Sequence, residues 1–216
     1  MTNSGEPLLG WPGRKHLRYA VLLSLAGSLW FVLVYGGANA LTAHRAFRVR
    51  VHFDAELDIP FIPEMTVIYM SIYGLFLAAP FILRRRQEFF ALAMTLNLVI
   101  LIAGIGFLFF PAQVAFPAPK EFGAFPNLYH FADRLSLAYN LMPSLHVALS
   151  AVCIAVFASR CGRMGGLFLW TWALAIAAST LFIHKHHLLD VIAGFALALA
   201  AHKYAYSGFL RQGQRE

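Results

Sequence analysis

Two short polar clusters interrupt a chain that is otherwise 60% hydrophobic, and both carry groups able to do chemistry. The first runs Asn140-Leu141-Met142-Pro143-Ser144-Leu145-His146, and the second runs His184-Lys185-His186-His187-Leu188-Leu189-Asp190. His186 and Asp190 stand at i and i+4, so they share one face if a helix has already begun there. A carboxylate so placed accepts a hydrogen bond from one imidazole nitrogen, which fixes the tautomer and frees the other nitrogen to attack. His186 is therefore a candidate nucleophile. In the first cluster Pro143 suits the first turn of a helix, where its missing N–H costs nothing. The free amides of that turn, with the Ser144 hydroxyl, form an anion site, and His146 can give a proton to a leaving oxygen. Nucleophile, orienting acid, anion cradle and general acid are the parts needed to move a phosphoryl group through a phosphohistidine.

The elements that must position these residues follow from composition. Of 216 residues, 17 are Lys or Arg and 10 are Asp or Glu, so 12% are charged, about half the share of a soluble domain, which is near 25%. With a mean hydropathy of +0.66, disorder, a disulfide scaffold and an ordinary soluble globule are excluded. Cys153 and Cys161, on one helix, would sit about 12 Å apart, too far for a disulfide. Apolar runs of the length a bilayer needs fall at about 19–38, 63–83, 89–110, 142–159, 166–184 and 187–206. The fold class expected is an all-α bundle of six transmembrane helices, one integral membrane domain over 1–216, with a basic segment at 1–18 and a catalytic core at about 60–206.

Orientation follows from the Lys and Arg bias. Eleven of the 17 basic residues accompany the termini and the short turns at 84–86 and 160–163, and six accompany the longer loops, with seven acids. The richer side is cytoplasmic by the positive-inside rule. Both termini then face the cytoplasm, and the longer loops at 40–62 and 111–141, with both polar clusters, face the periplasm or a lumen. This bias accounts for the net charge of +7 without a nucleic-acid partner. Arg14, Lys15 and Arg18 before an apolar run also mimic a cleavable signal peptide, but that run exceeds the usual core of about 7–15 residues, so an uncleaved anchor is expected.

Ionisable groups in or near spans are candidates for function. Arg84-Arg85-Arg86 is the plain case, a basic triplet in a cytoplasmic turn. His16, His44, His52, His130 and His202 read as interfacial or backbone-satisfied, and His184 and His187 as neighbours of the working residues. A rival from another class makes His146, His184, His186 and Asp190 ligands of a metal or haem; the phosphoryl-transfer reading calls for neither metal nor cofactor.

At the two clusters the chain resembles the type 2 phosphatidic acid phosphatase superfamily, the membrane-embedded relatives of vanadium haloperoxidases and bacterial acid phosphatases. Pro143-Ser144-Leu145-His146 is similar to the family's Pro-Ser-Gly-His motif, and Ser179, Thr180, His186 and Asp190 match the spacing of Ser-Arg-x5-His-x3-Asp. Leu145 and Thr180 replace the motif glycine and arginine, and the Lys-x6-Arg-Pro motif is missing; Phe110-Pro111 is its nearest remnant. With Pro-Ser-Leu-His and the His186-His187 pair, the chain looks like the inositol phosphorylceramide synthase and sphingomyelin synthase branch, which moves a phospho-head group between lipids. A phosphodiester carries one negative charge, so it needs fewer cations than a monoester. The resemblance implies a membrane lipid as substrate, His186 taking the head group, Asp190 orienting it and His146 moving the proton. Lys185, Arg134 and Lys120 are candidates to replace the missing cations, with Arg134 preferred because Lys185 would point about 100° away from His186 on a regular helix. A lipid phosphate phosphatase, with water as acceptor, and a non-catalytic member of the same fold are the alternatives within the family.

Overall fold

A computed structural model describes residues 8–212; residues 1–7 of the basic N-terminal segment, and Arg215 of the cytoplasmic charge count, lie outside the described residues. The described chain is helical, without a strand. In order come α1 (Arg14–Ala43), α2 (Pro63–Ile82), α3 (Arg86–Phe109), α4 (Pro126–Leu135), α5 (Leu145–Ala158), α6 (Arg163–Phe182) and α7 (Leu188–Gln212). A 3-10 turn at Asp54–Asp58 lies in the loop between α1 and α2. Five helices are long and apolar enough to cross a membrane: α1, α2, α3, α6 and α7.

The fourth expected span, 142–159, is helical only over Leu145–Ala158, which is 14 residues or about 21 Å, short of a bilayer core of about 30 Å. Its environment explains why it can be short. Residues from Val147 to Phe157 are all buried, because α5 packs against α2, α3, α6 and α7 at the centre of the bundle. A helix enclosed by protein need not match the thickness of lipid. Helix α1 is the opposite case: Leu22, Leu25, Leu29 and Leu33 are each more than 60% exposed, a stripe suited to hydrocarbon solvent.

Pro143 does not enter the first turn of α5. The N-cap is Ser144, whose Oγ accepts from the Val147 N–H at 3.4 Å, so the proline lies just before the cap. Ser144 is favoured there because its hydroxyl takes up one of the four amides that a helix start leaves without partners.

Both longer loops close over one end of the bundle. Val49 N–H donates to the Pro111 carbonyl at 2.8 Å and Ile62 N–H to the Phe182 carbonyl at 2.9 Å, while Asn140 Nδ2 donates to the Tyr35 carbonyl at 2.7 Å. The connection between α6 and α7, which holds the second polar cluster, lies at this end too. At the opposite end the Arg160 guanidinium meets Glu88 at 2.5 Å.

The two clusters are held together by a close crossing of α5 and α7. A Cβ on Gly194 would lie 2.6 Å from the Ser144 carbonyl oxygen and 3.2 Å from the Val147 side chain, so the backbones approach as near as glycine allows. Gly194→Val is expected to destabilise the protein by about 1–3 kcal/mol through overpacking and to lower the midpoint of thermal unfolding in detergent. Gly74→Ala, where a Cβ meets nothing within 4 Å, serves as the control and should not lower it.

Candidate active site

Asp190 is fully buried and stands in the first turn of α7, where the helix N-terminus favours a negative charge. His186 Nδ1–H donates to its Oδ2 at 2.7 Å, and His187 N–H donates to its two oxygens at 3.0 and 3.1 Å. The helix does not begin by His186 as the i, i+4 argument assumes: its first residue is Leu188 and its N-cap is His187. The bond still forms, because a carboxylate at the third helical position reaches back over the incoming strand of chain, as in a capping box. With Nδ1 committed, His186 keeps the Nε2 lone pair available.

His146 sits in the first turn of α5. Its Nε2–H donates to the Tyr69 carbonyl at 2.7 Å, and its ring stacks on the Tyr69 ring with centroids 3.7 Å apart and planes 7° from parallel. The nitrogen left over is Nδ1. A direct backbone bond, Ser144 N–H to the Asp190 carbonyl at 2.8 Å, ties the start of α5 to the start of α7. His146, His186, Lys185 and His184 all line one cavity of about 1080 Å³, whose other walls are largely apolar faces of α1, α2 and α3. Polar groups thus gather at the loop end of an apolar chamber, the usual form of a ligand site.

The candidate phosphate-binding residues divide. Lys185 lines the cavity; its ammonium pairs with Asp133 of α4 and lies 4.9 Å from the centroid of the Tyr129 ring. The objection that it points about 100° away assumes helix at 185, and Lys185 instead lies in the connection before α7. Arg134 and Lys120 are exposed and do not line the cavity, so Lys185, not Arg134, is the cation the fold brings to His186. Ser144 is fully buried, with its hydroxyl spent as the α5 cap. Thr180, where the motif has arginine, is buried beneath the turn: its carbonyl accepts from Lys185 N–H at 2.9 Å and His186 N–H at 3.2 Å, and its hydroxyl donates to the Ala177 carbonyl.

Glu56 is the residue that sequence reasoning missed. From the 3-10 turn at Asp54–Asp58 its Oε2 accepts from Leu188 N–H at 2.8 Å and from His187 Nδ1–H at 3.3 Å, while His187 Nε2 accepts from Ala115 N–H at 3.0 Å. Two carboxylates therefore take up the free amides of α7, one from within the helix and one from a loop more than 130 residues away. Only the acidity of the turn hinted at this. Phe116 stacks between His184, at 4.0 Å, and His187, at 4.6 Å, and His184 Nε2–H donates to the Ile59 carbonyl at 2.9 Å. Among the described residues no three His, Cys, Asp or Glu side chains are grouped so that they could hold a metal ion.

Burial holds both His184 and His187 below the ordinary imidazole value; at His184 the Lys185 charge adds to the effect, and at His187 Asp190 and Glu56 oppose it. Both rings are thus neutral in the fold at neutral pH, while the unfolded chain takes up their protons near pH 6.5. Their contribution to stability is fully present above that pH and is lost as pH falls below it. The unfolding midpoint should be flat above pH 7 and decline below about pH 6.5, a slope that His187→Asn should reduce. Removing the buried Glu56 carboxylate leaves three donors unsatisfied, the Phe53 and Leu188 amides and His187 Nδ1–H, so Glu56→Ala should cost roughly 1–3 kcal/mol by thermal unfolding, with Glu56→Gln costing less.

A family model described as the PAP2 superfamily matches residues 61–204, well over half of the chain, and includes His146, Lys185, His186 and Asp190. No curated protein and no solved structure matches. Five apolar helices of spanning length and the family match agree on an integral membrane protein. The chain belongs to the PAP2 superfamily, a group of phosphatases and phosphotransferases.

Proposed function

We propose that the protein is a membrane lipid phosphotransferase that carries a phospho-head group on His186. The observation that bears most weight is the 2.7 Å bond from His186 Nδ1–H to the buried Asp190, with His146 lining the same cavity. In the first half-reaction Nε2 of His186 attacks phosphorus, the P–O bond to the donor lipid breaks, and His146, protonated at Nδ1, gives that proton to the departing oxygen. In the second, His146 Nδ1 takes the proton of an acceptor alcohol, the new P–O bond forms and the P–N bond breaks. The Tyr69 carbonyl on Nε2–H suits both states of His146, since it accepts from the neutral ring and from the imidazolium alike. Asp190 steadies the positive charge that grows on His186.

Transfer fits the cations better than hydrolysis of a monoester does. Lys185 alone of the three candidates lines the cavity, Thr180 stands where the motif has arginine, and a lysine already paired with Asp133 is better suited to the single charge of a phosphodiester than to a monoester dianion. The Pro-Ser-Leu-His motif and the His186-His187 pair favour the inositolphosphotransferase-like branch. The reading includes α5 as a sixth, enclosed transmembrane element, cytoplasmic termini, and a site at the outer face of the membrane, as the Lys and Arg bias indicates.

Incubating the purified protein with labelled phospholipids, with and without inositol-, glycerol- or ceramide-type acceptors, tests this by mass spectrometry. A head-group-bearing acceptor should appear in the wild type and fall by at least about a thousandfold in His186→Ala or His146→Ala, with unfolding midpoints retained. Free phosphate or phospho-head group formed whatever the alcohol would make the protein a phosphatase. Turnover retained in either variant would remove the phosphohistidine.

A further inference from the structure

Deep in the cavity, far from the histidines, an otherwise apolar wall carries polar groups. Ser24 and Ser28 of α1 and Asn97 of α3 all line it. Tyr35 marks the level of the site, because its hydroxyl accepts from Leu137 N–H at 3.2 Å and its ring meets Phe107 edge-on at 5.9 Å. Counted along the helices at about 1.5 Å per residue, Ser28 lies about 10 Å below Tyr35, Ser24 about 16 Å below it, and Asn97 about 15 Å below Phe107. The three side chains form a collar near the middle of the chamber.

The collar is held in place without using its own polar side-chain atoms. Trp30 Nε1–H donates to the Asn97 backbone carbonyl at 3.0 Å and pins α1 to α3 at this depth. Gly27 makes room for the amide, since a Cβ there would stand 3.3 Å from Asn97 Oδ1. Thr42, Thr95, Ser150, Ser179 and Thr180 donate to carbonyls of their own helices. Among the described residues, the Ser24 and Ser28 hydroxyls and the Asn97 side-chain amide make no hydrogen bond. A saturated hydrocarbon chain filling the chamber would leave the Asn97 amide without partners, at a cost in free energy, and would leave the two serine hydroxyls only the carbonyls of their own helix.

We infer that the chamber selects a lipid whose chain carries a hydroxyl group near its middle, bound by Asn97, Ser24 and Ser28. The serine hydroxyls and the amide each offer both donors and acceptors, which a hydroxyl answers with both, whereas an ester or keto oxygen only accepts. The inference rests on the lipid reading of the cavity, with the phosphate at His186 and the chain running down between α1, α2 and α3.

Binding, without turnover, tests it. The full chain in detergent is titrated with octadecanoyl lysophosphatidylglycerol, a phosphodiester, and with its mid-chain monohydroxylated counterpart, and each Kd is read by native mass spectrometry. The wild type should bind the hydroxylated lipid roughly fivefold more tightly, the size of one net hydrogen bond. Asn97→Leu should abolish the preference and bind the plain lipid at least as well as wild type does, and Ser28→Ala should narrow the preference, so the result does not depend on one variant folding. Equal affinities in the wild type, or a preference unchanged in both variants, would overturn the collar while leaving the lipid phosphotransferase reading intact. Failure to bind either lipid would overturn both.

Discussion

Asp190 is a carboxylate with no exposure to solvent, and burying such a charge is costly unless donors surround it. The starts of two helices are organised around that requirement. The N-terminus of α7 supplies the His187 amide and a favourable dipole, and His186 supplies its ring N–H. The carbonyl of Asp190 in turn receives the amide of Ser144. The buried carboxylate thus holds the tautomer of His186 and the start of α7, and the backbone carbonyl of the same residue ties down the cap of α5. Breaking any one of these bonds leaves a buried polar group without its partner.

The remainder of the bundle serves this arrangement. Gly194 permits the close crossing of α5 and α7, and Glu56 reinforces the α7 terminus from a loop outside the residues the family model matches. The loops at 40–62 and 111–144 interlock over the same end, so the polar groups are roofed by chain while α1, α2 and α3 leave an apolar chamber below. Polar chemistry at the head and hydrocarbon below is the shape of a lipid. The pairing of Lys185 with Asp133 keeps that cation beside the site without leaving it uncompensated.

The site was legible in the sequence to the extent that its parts were local. His186 and Asp190 are near neighbours in the chain, and the capping geometry joins them even though α7 starts two residues later than the spacing argument assumed. The starts of α5 and α7 meet through Ser144 and Asp190, and the family motifs pointed to His146 and His186, which line one cavity. Contacts over long sequence separations were not legible. Beyond its acidity, nothing in the turn at Asp54–Asp58 signals that Glu56 reaches His187, and nothing near Tyr69 signals that its carbonyl and ring would hold His146. The helical angle that turns Lys185 away from His186 does not apply, because the residue lies outside the helix. The short α5 was overestimated because hydropathy does not separate a lipid-facing span from a helix enclosed by protein.

The central claim is that His186 becomes covalently bound to phosphorus, and trapping that bond tests it most directly. The protein is mixed with a head-group-labelled phospholipid, quenched in alkali, where an N–P bond survives, and digested for mass spectrometry. The account predicts a phosphorus adduct on the peptide containing His186 that vanishes on acid treatment and is absent from Asp190→Ala. Label on another residue, or turnover with no acid-labile adduct at all, would contradict it.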